Sequence, residues 1–83
     1  MDLTQAKPHT PMRVVSVDDS DSDNQISRRL LELGFIPGSI VEIRNMAPLF
    51  QDPIAVLVRG MVVALRKYEA QKIKVATAAG GTR

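Results

Sequence analysis

At 83 residues the chain has room for one domain and no second core, and ordinary per-residue stability makes its fold worth roughly 4–12 kcal/mol. It holds no cysteine, which removes disulfides and thiolate metal sites, and its single histidine leaves few donors for a transition-metal centre. Aromatic residues are scarce at 4%, so Val, Ile and Leu must fill the core, and the net charge of +2 hides a gradient from an aspartate-rich first third to a basic last third.

Residues 1–11 read as a leader. Thr4 can cap a single helical turn, Leu3 and Ala6 can lay a small apolar face on the core, and Pro8 and Pro11 stop regular helix beyond that point. His9, alone of its kind, is expected in a solvated loop. Met12–Val17 is the first strand, with Arg13, Val15 and Val17 on one face and Val14 and Ser16 on the other. The run DDSDSDN at 18–24 opens like a calcium loop, because Asp19, Asp21 and Asp23 alternate. Calcium is disfavoured, since Asn24 stands where the loop needs glycine and Leu30 where it needs a bidentate glutamate. A solvated turn feeding a helix fits better, with Ser22 and Gln25 in capping-box spacing.

The helix is expected over 23–33. Ile26, Leu30 and Leu33 share one face, Arg28, Arg29 and Glu32 lie on the wetter side, and Glu32 can pair with either arginine. Gly34 follows as a left-handed C-terminal cap, with Phe35 and Ile36 beside the final turn, and Pro37-Gly38 turns the chain. The second strand spans 40–46, with Val41 and Ile43 on one side and Glu42 and Arg44 on the other. A proline-bounded loop at 47–53 then carries Leu49 and Phe50.

Strands at 54–59 and 61–66 form a hairpin through Gly60, although Arg59-Gly60 is not a strong turn pair. Ile54, Val56 and Val58 make one face, with Val63 and Leu65 inward on the second strand. Its opposite face carries Ala55, Leu57, Val62 and Ala64, so the middle of the hairpin is apolar on both sides. A pair with one face in water should alternate instead, so something must cover this face: the leader, the helix or another molecule. A helical turn at 67–71 bearing Tyr68 and a last strand at 72–76, with Ile73 and Val75 inward, complete the domain. The expected domain covers 1–77, and the Gly-Gly-containing end at 78–83 is expected to be a flexible tail.

Five short strands and one short helix between the first two predict an all-β fold, a small antiparallel barrel. No phosphate-binding loop and no nucleophile–base pair is present, so no catalytic residue and no cofactor is expected. No apolar run approaches the ~18–20 residues of a membrane span, and the first ten residues are too polar for a signal peptide.

RRLLELGFIPGSIVEI at 28–43, APLFQDPIAVLVRG at 47–60 and VALRKYEAQKIKV at 63–75 together resemble the FeoA family. That resemblance implies an SH3-like barrel and a cytoplasmic, non-enzymatic partner of FeoB, the membrane ferrous iron permease with a cytoplasmic GTP-binding domain. It places the protein near the membrane only through that partner. The same module occurs in metal-dependent repressors, which makes a metal-responsive regulatory module an alternative, although no DNA-binding helix pair precedes it here. Phe50-Gln51 stands where many members have one glycine, and Leu57 replaces a charged residue frequent on that outer face.

The expected contact residues are Leu49 and Phe50 on the loop, Leu57 and Val62 on the outer hairpin face, and Arg59 and Arg66 at its margin: an apolar anchor with a basic rim. Coverage of Leu57 and Val62 by the leader is the competing structural explanation. The apolar hairpin also permits a homodimer. Nucleic acid is the rival partner, but only Phe35, Phe50 and Tyr68 can stack on bases, and a stacking platform needs them on one face. Three scattered aromatics do not make a polyproline groove. Carboxylates alone would hold ferrous iron weakly, so no metal ligands are assigned.

Overall fold

The computed structural model describes residues 1–20, 25–47 and 51–78. A 3-10 turn at Leu3–Gln5 precedes β1 (Met12–Val17), α1 (Gln25–Leu33), β2 (Ile40–Met46), β3 (Ile54–Val58), β4 (Met61–Leu65), α2 (Lys67–Ala70) and β5 (Ile73–Thr77). The strands form one antiparallel sheet in the order β4-β3-β2-β1-β5. Among the described residues β4 and β5 remain its two margins, so no strand-to-strand ladder closes the sheet into a barrel. Register shifts between Val14 and Ser16 and between Ile43 and Asn45 mark irregularities that let a short sheet bend around its core.

Alternation decides which face is buried. Met12 and Val14 of β1, Val41 and Ile43 of β2, Ile54, Val56 and Val58 of β3, Leu65 of β4 and Ile73 and Val75 of β5 all enter the core. α1 adds Leu30, with Ile26 and Leu33 packed partly against the core as their spacing predicts. Its end is a Schellman cap: the Gly34 N–H donates to the Leu31 carbonyl at 3.0 Å and the Phe35 N–H to the Leu30 carbonyl at 3.0 Å, with Gly34 at φ 115°. Phe35 follows into the core, whereas Ile36 remains 45% exposed. Gly38, at φ 94°, completes the turn after Pro37, and the Ser39 N–H closes it on the Ile36 carbonyl at 3.0 Å.

The leader differs from expectation in its cap. Asp2, not Thr4, opens the 3-10 turn: its carboxylate accepts the Thr4 N–H at 2.9 Å, and Gln5 Oε1 accepts the Asp2 N–H at 2.8 Å. The reciprocal pair needs a glutamine three residues after the cap, and only Asp2 has it. Leu3 and Ala6 are buried as expected. Arg29 also corrects an expectation, because its ion pair is with Glu69 of α2 and not with Glu32. The Ser22 half of the expected helix cap, Leu49, Phe50 and residues 79–83 lie outside the described residues. Ala78, placed in the expected tail, has its N–H aimed at the Pro11 carbonyl at 3.4 Å.

Candidate docking surface

β3 and β4 are joined by a two-residue turn in which Arg59 has φ 54° and Gly60 φ 79°. Positive φ at both positions is the type I′ geometry whose twist suits a hairpin. Arg59 holds it as a non-glycine residue, and its side-chain stem lies across the α1 cap: a Cβ placed on Gly34 would meet Arg59 Cδ at 2.3 Å. The hairpin tip is thus pinned to the helix end by close packing.

In the β3–β4 ladder Leu57 stands directly opposite Val62, and Glu42 of β2 opposite Leu57, giving one row across three strands on the outer face. Leu57 is half-buried and Val62 is 59% exposed. The 3-10 turn of the leader packs against α2 and β5. Its later part reaches β2, where the His9 N–H donates to the Ile43 carbonyl at 2.8 Å and His9 Nδ1 lies 4.0 Å from Glu42, the neighbour of Leu57 in this row, while Val62 stays exposed. Met61, unassigned from sequence, is 51% exposed beside the turn. Arg59 lies at one end of the hairpin and Arg66 at the other, ~20 Å away by strand rise, so the two bracket the apolar pair instead of clustering. Both are exposed.

Asp52 is a residue that sequence reasoning passed over. Its Oδ1 accepts the Lys67 N–H at 2.9 Å and lies 3.6 Å from Arg66 Nε. It ties the residues before β3 to the β4–α2 junction. The Asp-Pro step at the end of the proline-bounded loop was the available signal. Glu69 is the second. Buried to 7% exposure, it accepts the Arg66 N–H at 2.8 Å and pairs with Arg29, joining α2 to α1. A glutamate three residues after the start of a helical turn is its sequence mark.

Among the described residues no group of three or more His, Asp or Glu side chains could hold a metal ion. Glu42 lies 3.8 Å from Arg44 Nε and 4.0 Å from His9 Nδ1, so the sheet's outer carboxylate faces nitrogen groups. Phe35 is fully buried and Tyr68 is 56% exposed, which removes one of the three rings a base-stacking platform would need. A separate pocket of about 310 Å³ lies under the leader, lined by Met1, Ala6 and Met12 among others, away from the hairpin. No helix among the described residues is long and apolar enough to cross a membrane.

A family model described as the FeoA domain matches residues 1–77. Among solved structures, the zinc-complexed FeoA of Stenotrophomonas maltophilia, a procaryotic SH3 domain protein, superposes with a TM-score of 0.83 at 37% identity, covering 92% of this chain and 89% of that one. FeoA from Chlorobium tepidum gives 0.83 at 35% identity over 96% of this chain and 72% of its own. T. acidophilum IdeR gives 0.73 at 23% identity over 94% of this chain and 34% of its own, a likeness of fold alone. No curated protein matches.

Proposed function

The chain belongs to the FeoA family, SH3-like modules associated with ferrous iron transport, and from that premise we propose that it is a non-catalytic accessory protein that docks on the cytoplasmic part of the FeoB transporter. It works in the cytoplasm as a surface: the outer face of the β3–β4 hairpin supplies the anchor and its arginines the rim. The observation that carries this is the Leu57–Val62 cross-strand pair, with Val62 59% exposed in a chain of only 83 residues. An exposed branched aliphatic side chain backed by a second one on a rigid ladder is the kind of group that becomes a desolvated anchor when a partner closes over it. Leu49 and Phe50, which lie outside the described residues, belong to the same proposal on the sequence pattern alone.

The test is affinity for the purified cytoplasmic part of FeoB, with and without guanine nucleotide. Val62→Ser is expected to weaken binding by roughly tenfold, the size of a modest anchor. Leu49→Ser with Phe50→Ser is expected to weaken it further. Wild-type affinity in a folded Val62→Ser variant removes the hairpin face from the proposal.

A further inference from the structure

The two margins of the sheet are treated differently. At β5 the leader closes the edge: the Val75 N–H donates to the Met1 carbonyl at 2.9 Å, and Asp2 bridges to Lys74. At β4 no described segment does so. The two-residue turn makes Val58 and Met61 a hydrogen-bonded pair, so Val56–Val63 and Ile54–Leu65 are hydrogen-bonded too. The peptide groups of Val62 and Ala64 therefore face away from the sheet. The open edge ends at Arg66, whose N–H is taken by Glu69.

Edges are ordinarily blunted by lysine, proline or a bulge. Met61–Leu65 has none of these: it reads MVVAL, its register with β3 is regular, and Met61, Val62 and Ala64 are exposed. We infer that this edge accepts an extended, acidic-flanked segment of a partner protein as a sixth antiparallel strand, two N–H and two carbonyl groups of Val62 and Ala64 forming the new ladder.

Charge selects the occupant. Arg59 precedes the edge, and Arg66 and Lys67 follow it. Arg66 already faces Asp52, but among the described residues Arg59 has no carboxylate within ion-pair distance. A second copy is the wrong partner: the antiparallel register that engages both residues on both strands sets Val62 against Ala64 of the other copy and brings the basic turn end of each hairpin, with Arg59, toward the basic Arg66-Lys67 end of the other, twice. An incoming strand with Asp or Glu at its ends and branched aliphatics on the outer face meets those cations and extends the Leu57–Val62 row. This deepens the docking reading and rests on it, naming the backbone mode by which the same hairpin is engaged.

The probe is the synthetic peptide Asp-Glu-Thr-Val-Thr-Val-Thr-Glu-Asp, titrated into the full chain and followed at backbone amides by NMR, beside the same peptide with lysine at the four acidic positions. Saturable shifts and slowed hydrogen exchange at the Val62 and Ala64 amides are expected, with affinity roughly tenfold weaker for the lysine peptide. Ala64→Pro removes an outward N–H without touching the β3 ladder and should lose the peptide while keeping a folded spectrum. Absence of saturable shifts at Val62 and Ala64 overturns the inference even if FeoB binds through the hairpin face. Equal binding of the lysine peptide overturns the choice of an acidic partner, and so does concentration-dependent protection of the two amides without peptide, which marks a second copy. Peptide capture at the edge with no affinity for FeoB upholds the edge and rejects the transporter as the partner.

Discussion

Gly34 carries two constraints at one Cα. Its φ of 115° is available to glycine at little cost, and Arg59 Cδ and Cγ lie 2.3 and 2.9 Å from where a Cβ would stand. Gly34→Ala is expected to destabilise the fold by more than about 1 kcal/mol in urea unfolding. Arg59→Ala in that background should return the steric part and leave the backbone part, so the two changes should be non-additive. Glu69 concentrates a different cost. It caps α2 and pairs with Arg29 while nearly buried, and its replacement by alanine is expected to cost about 1–3 kcal/mol by the same measurement. At Asp18 the consequence is in titration. The Ser20 side chain and backbone N–H, with Lys72 and Lys74 nearby, hold its carboxyl below the ordinary aspartate value. A carboxyl held low contributes stability that is present above the unfolded value of about 3.9 and is lost as pH falls through the folded one. Ser20→Ala is expected to raise the Asp18 pKa toward the ordinary value in an NMR titration.

The leader behaves as a structural element, because Leu3 is fully buried and its turn packs on α2 and β5. Leu3→Ala is expected to lower stability by about 2–5 kcal/mol, a cost comparable with the low end of what an 83-residue fold can hold. Wild-type stability in that variant would mean that the leader adds no core. The hairpin shows how far pattern reaches. The alternation of Ile54, Val56 and Val58 placed β3 to within a residue, whereas Arg59-Gly60, weak as a turn pair, forms the type I′ turn because the arginine stem gains the α1 cap as a surface. That contact is between residues 25 apart in sequence and leaves no periodic trace. Arg29 shows the same limit: helical spacing offers Glu32 either Arg28 or Arg29, whereas Arg29 pairs with Glu69 of α2, 40 residues further along the chain.

Across the molecule, one sheet margin is closed by the chain's own N-terminus and the other carries exposed apolar residues between basic ends. Attraction to an acidic partner through an exposed basic rim is screened by salt, so association with the FeoB cytoplasmic part is expected to slow as ionic strength rises, with a smaller change in dissociation. Stopped-flow mixing across a salt series checks this; a salt-independent association rate would argue that the arginines lie outside the contact. Period-two alternation, the Gly34 stop and the Pro37-Gly38 turn made the strands, α1 and the five-stranded class legible in the sequence, because burial of one face and the sterics of glycine and proline act over a few residues. Only the tertiary structure decided which margin no described segment covers, that Asp2 and Met1 close the other, and that Leu57 stands opposite Val62, with the leader reaching the row at Glu42 through His9 while Val62 stays exposed. Those outcomes depend on contacts between distant segments, whose geometry is set by the packing of the whole sheet and is encoded in no local stretch of residues.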